Sequence, residues 1–218
     1  RRVKTPGMPG FNLNTNTDTL LKKDFDAVRG ACPHPLMVAA GVSHLRPFWH
    51  EDMDKWAESM HFGAEGRFHC DHSETNIRFG GGLDDVWENI ETGELHIVDY
   101  KSTSQKAPDR QINLEGPYKE ACKRQMDLYV WVLRKKAFHV DDVGYFLYCD
   151  GDRFSDYDFL SSTMASMNFK MTLIEYQTND SWIEPTLNEI SECLHASERP
   201  DHSERCEYGK FLAQSLNQ

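Results

Sequence analysis

Ile97-Val98-Asp99-Tyr100-Lys101 is the stretch on which the reading of this chain turns. In a β-strand, alternation sets Ile97, Asp99 and Lys101 on one face and Val98 and Tyr100 on the other. An apolar strand thus ends in two charges on one side, an arrangement that needs a cleft or a partner. Upstream lies Gly81-Gly82-Leu83-Asp84-Asp85-Val86-Trp87, where Asp84 shares a face with Gly82 and Val86. A small residue beside an acid permits close approach of a metal or a phosphate. Residues 83–90 and 94–101 are predicted to pair as a hairpin through Ile90-Glu91-Thr92-Gly93.

Working outward, residues 1–16 read as an irregular arm. A helix over 17–30 follows, capped by Thr17 or Asn16, with Leu20, Leu21, Asp24, Phe25 and Val28 on one face and Gly30 at its end. After the Cys32-Pro33-His34-Pro35 break come shorter helical pieces near 36–41 and 52–60. Strands are expected at 66–71, 76–80, 143–149 and 168–176, and a long helix from Gly116-Pro117 to about Ala137. Ser181-Trp182-Ile183-Glu184 has the capping-box pattern for a last helix to about Ala196. The tail, 197–218, is polar with a short helical piece at most. This order predicts an α/β fold, a central mixed β-sheet flanked by helices. The expected divisions are the arm at 1–16, a helical layer at 17–62, a core at 63–196 and the tail.

The bulk numbers bound the function. Hydrophobic residues make up 39% of 218, enough for one sizeable core. No apolar run approaches bilayer length, so no membrane partner is expected. Six scattered cysteines suit a reduced, cytoplasmic protein. A formal charge of −11 argues against indiscriminate coating of nucleic acid, while leaving room for a local basic path.

The 118–133 helix gathers Tyr118, Ala121, Cys122, Met126, Leu128, Tyr129, Val132 and Leu133 on one stripe, with Gln125 in its middle. A buried amide without partners costs roughly 1–3 kcal/mol, so something polar must face Gln125. The carboxylate strands are the candidate, and Tyr129 lies one turn along. Lys119, Lys123, Arg124, Arg134 and Lys135 give the helix a cationic rim suited to backbone phosphates. Lys106 and Arg110 mark the polar 102–115 segment as a substrate-contacting loop. Solvation of a surface helix is the plainer reading of the rim.

Hard divalent cations such as Mg²⁺ or Mn²⁺ take carboxylate oxygens plus water and substrate phosphate. A neighbouring ammonium can orient water or stabilise developing charge. Asp84, Asp99 and Lys101 together supply that set, although a lone Asp-X-Lys triplet is common and Asp84-Asp85 after two glycines also suits a turn.

Gly81-Gly82-Leu83-Asp84, Val98-Asp99-Tyr100-Lys101 and Gln125-Met126-Asp127-Leu128-Tyr129 resemble, in order and spacing, three motifs of the RecB-like branch of the PD-(D/E)XK nucleases. The resemblance implies a restriction-endonuclease-like core and a metal-dependent DNA nuclease, in exonuclease form, with one or two Mg²⁺ or Mn²⁺ ions. It implies metal ligation by the side chains of Asp84 and Asp99 and by the Tyr100 carbonyl. Lys101 would serve the attacking water, while Gln125 and Tyr129 support the site and the DNA backbone. The branch often adds an upstream helical His; His50 is the candidate and His44 the alternative, an ordinary surface histidine being the rival reading for both. Helicase, recombination or integration proteins are the partners implied.

Many such relatives hold an iron–sulfur cluster on four cysteines. Cys32, Cys193 and Cys206 match three places, but Gly209 stands at the fourth, so no cluster is expected. His69-Cys70-Asp71-His72 lacks the second ligand pair of structural zinc sites. No phosphate-binding or dinucleotide Gly-rich loop is present. Two rival functions remain open: a non-catalytic nucleic-acid-binding or scaffold module on the same fold, and a phosphohydrolase of small nucleotides.

Overall fold

A computed structural model describes residues 12–60, 63–204 and 206–216. The elements run α1 (Asn12–Asp26), α2 (Pro35–Ala39), β1 (Leu45–Pro47), α3 (Met53–Trp56), β2 (His69–His72), β3 (Ile77–Gly80), β4 (Asp85–Asn89), β5 (Leu95–Thr103), α4 (Pro117–Lys135), β6 (Val143–Gly151), β7 (Phe169–Gln177), α5 (Ile183–His195) and α6 (Glu207–Leu216).

A five-stranded sheet in the order β1-β4-β5-β6-β7 carries the larger of two compact units, which takes in the described residues of 12–71 and 78–180. Only β5 and β6 pair in parallel; β1–β4, β4–β5 and β6–β7 are antiparallel. The parallel step requires a crossover, and α4 supplies it. The predicted β4–β5 hairpin is present. Gly93 adopts φ +74° in its turn, and the Asn89 side chain accepts from the amides of Glu91 and Thr92.

The sheet buries both faces. Val98 and Tyr100 join Phe25, Met37, Val42, Leu45, Trp87, Tyr145 and Leu147 in one cluster, so α1 and α2 cover that side. Ile97 and Val86, on the other face, are fully buried, as is Met126 of α4. The close approach of α4 to the sheet depends on Gly144, where a Cβ would stand 2.1 Å from Met126 Sδ and 3.3 Å from the Ile97 carbonyl oxygen.

Several local expectations are corrected. Helix α1 starts at Asn12, so Thr17 is interior rather than a cap; its hydroxyl bonds the Asn14 carbonyl at 2.8 Å and meets the Ser102 hydroxyl. The segment between α2 and α3 contains β1, whose Leu45 is buried and pairs with Asn89. On α4, Tyr118 is 69% exposed, while Asp127 and Trp131 join the buried set.

The second unit takes in residues 72–77 and the described residues of 181–216. Trp182, not Ser181, is the N-cap of α5, with no side-chain capping bond. The Glu184 carboxylate in the first turn of α5 lies 2.6 Å from His72 Nε2.

Candidate active site

Asp84 immediately precedes β4 and Asp85 opens it, so these adjacent acids face opposite sides of the sheet. Asp85 pairs with Val98 across the hairpin, and continuing that register brings Asp84 beside Asp99. The Tyr100 amide donates to Asp84 Oδ2 over 2.9 Å. Lys101 Nζ forms an ion pair with Asp99 Oδ2. That oxygen is buried, and Lys101 is its charged partner. The two acids and the lysine therefore converge where the sequence placed them.

Burial pushes the Asp99 carboxyl up to about 7; Lys101 opposes this and the neighbouring Asp84 charge adds to it. Burial alone would lower Lys101, but the carboxylates of Asp99 and Asp84 outweigh it and raise the ammonium well above its ordinary value. Lys101 is thus a fixed cation in this arrangement, suited to donating hydrogen bonds rather than to taking a proton.

Gln125 and Tyr129 form a chain above these groups. Gln125 Nε2 donates to the Tyr129 hydroxyl at 2.9 Å, and that hydroxyl donates to the Gly82 carbonyl at 2.8 Å. The polar partner expected for Gln125 is therefore Tyr129, through which it reaches the loop leading into Asp84. Gly81 makes room for this contact: a Cβ there would lie 2.7 Å from the Tyr129 hydroxyl.

The basic residues divide. Lys119 donates to the Tyr148 hydroxyl and lies 3.9 Å from that ring's centroid. Tyr148 is the register partner of Lys101, so Lys119 belongs beside the acids. Burial and the nearby Lys101 charge lower its pKa, while Cys122 opposes them. Lys106, Arg110 and Lys119 line one cavity of about 220 Å³. Lys123 instead pairs with Glu120 at 2.8 Å, and Arg124 is exposed.

His50 lies in an aromatic group. Its ring stacks on Trp56 with centroids 4.4 Å apart, near Phe48 and Phe138, and its Nδ1 accepts from the Asp52 amide. His44 is exposed.

Two residues that the sequence reading did not single out stand at the site. Lys22 of α1 lies 3.0 Å from Asp18 and 3.4 Å from Asp84 Oδ1. Their i,i+4 spacing marks Asp18 and Lys22 as a helix pair, but only the packing of α1 on β5 brings them to Asp84. On the far face, Asp85 accepts from Arg29, Tyr100 and Trp87, a buried structural acid.

Among the described residues, no three His, Cys, Asp or Glu side chains form a ready metal-holding group. The Asp84–Asp99 pair nonetheless suits a hard divalent cation, which often takes only one or two protein carboxylates. In the metal-free protein the buried Asp99 Oδ2 has the Lys101 ammonium as its charge partner. All six cysteines are free thiols. At Gly209 a Cβ would come 2.6 Å from His202 Cβ, so a side chain there conflicts with that histidine. In the His69–His72 run, His69 bonds the Arg67 carbonyl and Asp71 is held by Arg78, which commits them to local structure.

A mixed sheet carrying an acid–acid–lysine set at adjacent strand ends defines a restriction-endonuclease-like α/β protein. Residues 18–210 match the model of the PD-(D/E)XK nuclease superfamily, and the chain belongs to that superfamily. No curated protein and no solved structure matches it.

Proposed function

We propose that this protein is a Mg²⁺- or Mn²⁺-dependent deoxyribonuclease of the RecB-like branch, acting as an exonuclease. The observation that carries the reading is the meeting of Asp84, Asp99 and Lys101, with Asp99 buried and ion-paired to Lys101. The carboxylates of Asp84 and Asp99, with the Tyr100 carbonyl, would hold the metal. Bound there, a divalent cation supplies Lewis acidity toward a phosphoryl oxygen and lowers the pKa of water.

The chain's own groups account for the rest. Lys101, held as an ammonium, orients the attacking water and stabilises charge on the phosphoryl oxygens. The Gln125–Tyr129–Gly82 chain fixes the loop that presents Asp84. Lys106, Arg110 and Lys119, which line one cavity together with Glu115, would meet the polynucleotide backbone. The attacking water would give its proton to bulk water, and the 3′-oxygen would leave protonated by water. His50 would enter only through Nε2, since its Nδ1 serves Asp52. Helicase or recombination partners follow from the RecB-like reading alone.

Incubation of labelled single- and double-stranded DNA with Mg²⁺ or Mn²⁺ tests the proposal. Cleavage by the wild type and its loss in Asp99→Ala and Lys101→Ala are expected. A wild type that binds DNA but cuts none with either metal would favour a binding module. Turnover of free nucleotides alone would favour the small-molecule hydrolase.

A further inference from the structure

Lys22 sits on the oxygen that a metal would need. Asp84 Oδ2 already accepts from the Tyr100 amide, which leaves Oδ1 as the atom open to a cation. Lys22 Nζ lies 3.4 Å from that Oδ1 and 3.0 Å from Asp18, one helical turn back. The position of α1 is fixed from both ends: Phe25 is buried and stacks on Tyr100, and the Thr17 hydroxyl meets Ser102. The ammonium is less fixed, because its four-carbon stem is flexible and the side chain is 25% exposed.

We propose that Lys22 is a built-in counter-ion: in the metal-free protein it neutralises Asp84, and a divalent cation must displace it toward Asp18 to bind. This rests on the metal site proposed above. Lys22 thereby sets the metal concentration at which the site fills. Lys101 differs in being paired with Asp99 rather than Asp84 and in being less exposed, at 15%. Asp18 serves as the alternative resting place, which keeps the displaced charge on the protein and limits the penalty of exchange.

Mn²⁺ binding to the full-length, chelator-stripped protein tests this by calorimetry and by the loss of the free Mn²⁺ electron-resonance signal. Removing a unit charge a few ångströms from a dication should tighten binding in Lys22→Met roughly tenfold. The same variant should melt below wild type in chelator, and the gap should close in saturating Mn²⁺. Unchanged or weaker Mn²⁺ affinity in a folded Lys22→Met overturns the inference; Lys22→Gln repeats the measurement should Met fail to fold. Asp99→Ala separates the two levels of the reading. If wild type binds Mn²⁺, Asp99→Ala does not, and Lys22→Met equals wild type, only the counter-ion role falls. If wild type binds none, the metal site falls and this role with it.

Discussion

Arg29 donates to Asp85 at 2.8 Å, and Asp85 is completely buried. The pair pins the segment after α1 to the first residue of β4, with Tyr100 and Trp87 completing the carboxylate's partners. Removing one partner of a buried ion pair strands the other charge. Arg29→Ala should cost about 3–5 kcal/mol in urea denaturation. A loss below about 1 kcal/mol would show that water replaces the guanidinium.

Tyr129 links α4 to the loop before Asp84 through a single hydroxyl. Tyr129→Phe keeps the ring and removes both hydrogen bonds, leaving the Gly82 carbonyl without this donor. Stability should fall by roughly 1–2 kcal/mol. DNA cleavage should fall further than that loss of folded protein explains, read as kcat with the protein fully folded. Equal cleavage by the variant would reduce Tyr129 to a packing residue.

Gly144 tests the seating of α4 on the sheet. Gly144→Ala puts a methyl 2.1 Å from Met126 Sδ, which forces the side chain or the helix to move. Overpacking of this kind typically costs about 1–3 kcal/mol. Because Met is flexible, Met126→Ala in the same chain should recover part of the loss in thermal melts.

Burial holds the Asp99 carboxyl at about 7, against an ordinary value of 3.8. In metal-free protein, the folded state therefore keeps a proton that the unfolded chain has released over that interval. Stability contributed by this group is greatest in acid, declines as pH rises from about 4 to about 7, and levels off above. Subtracting the urea-derived stability of Asp99→Asn from that of wild type, pH by pH in chelator, should trace this decline. A flat difference would show that Asp99 ionises at its ordinary value, and one that rises with pH would show its pKa depressed by folding.

Much of this architecture was legible in the chain because the relevant signals are local. The period-two pattern around Val98 and Tyr100 and the turn at Gly93 placed the hairpin, and the spacing of Asp84, Asp99 and Lys101 placed the charged cluster. What escaped was set by contacts distant in sequence. Strand β1 is three residues long and exists by pairing with β4, so it carries no periodicity of its own. Asp18 and Lys22 look like any exposed helix pair until α1 docks on β5. Gln125 did signal a buried polar contact, yet its partner proved to be Tyr129 on the same helix rather than a carboxylate.

The adjacency of Asp84 and Asp85 ties reactivity to strand alignment. With side chains alternating along β4, a slip of one residue against β5 would send Asp84 toward Arg29 and turn Asp85 out among the lysines. Each acid would then meet the other's surroundings, with no change in composition. A single insertion after Asp85 and before 88 would exchange scaffold for chemistry.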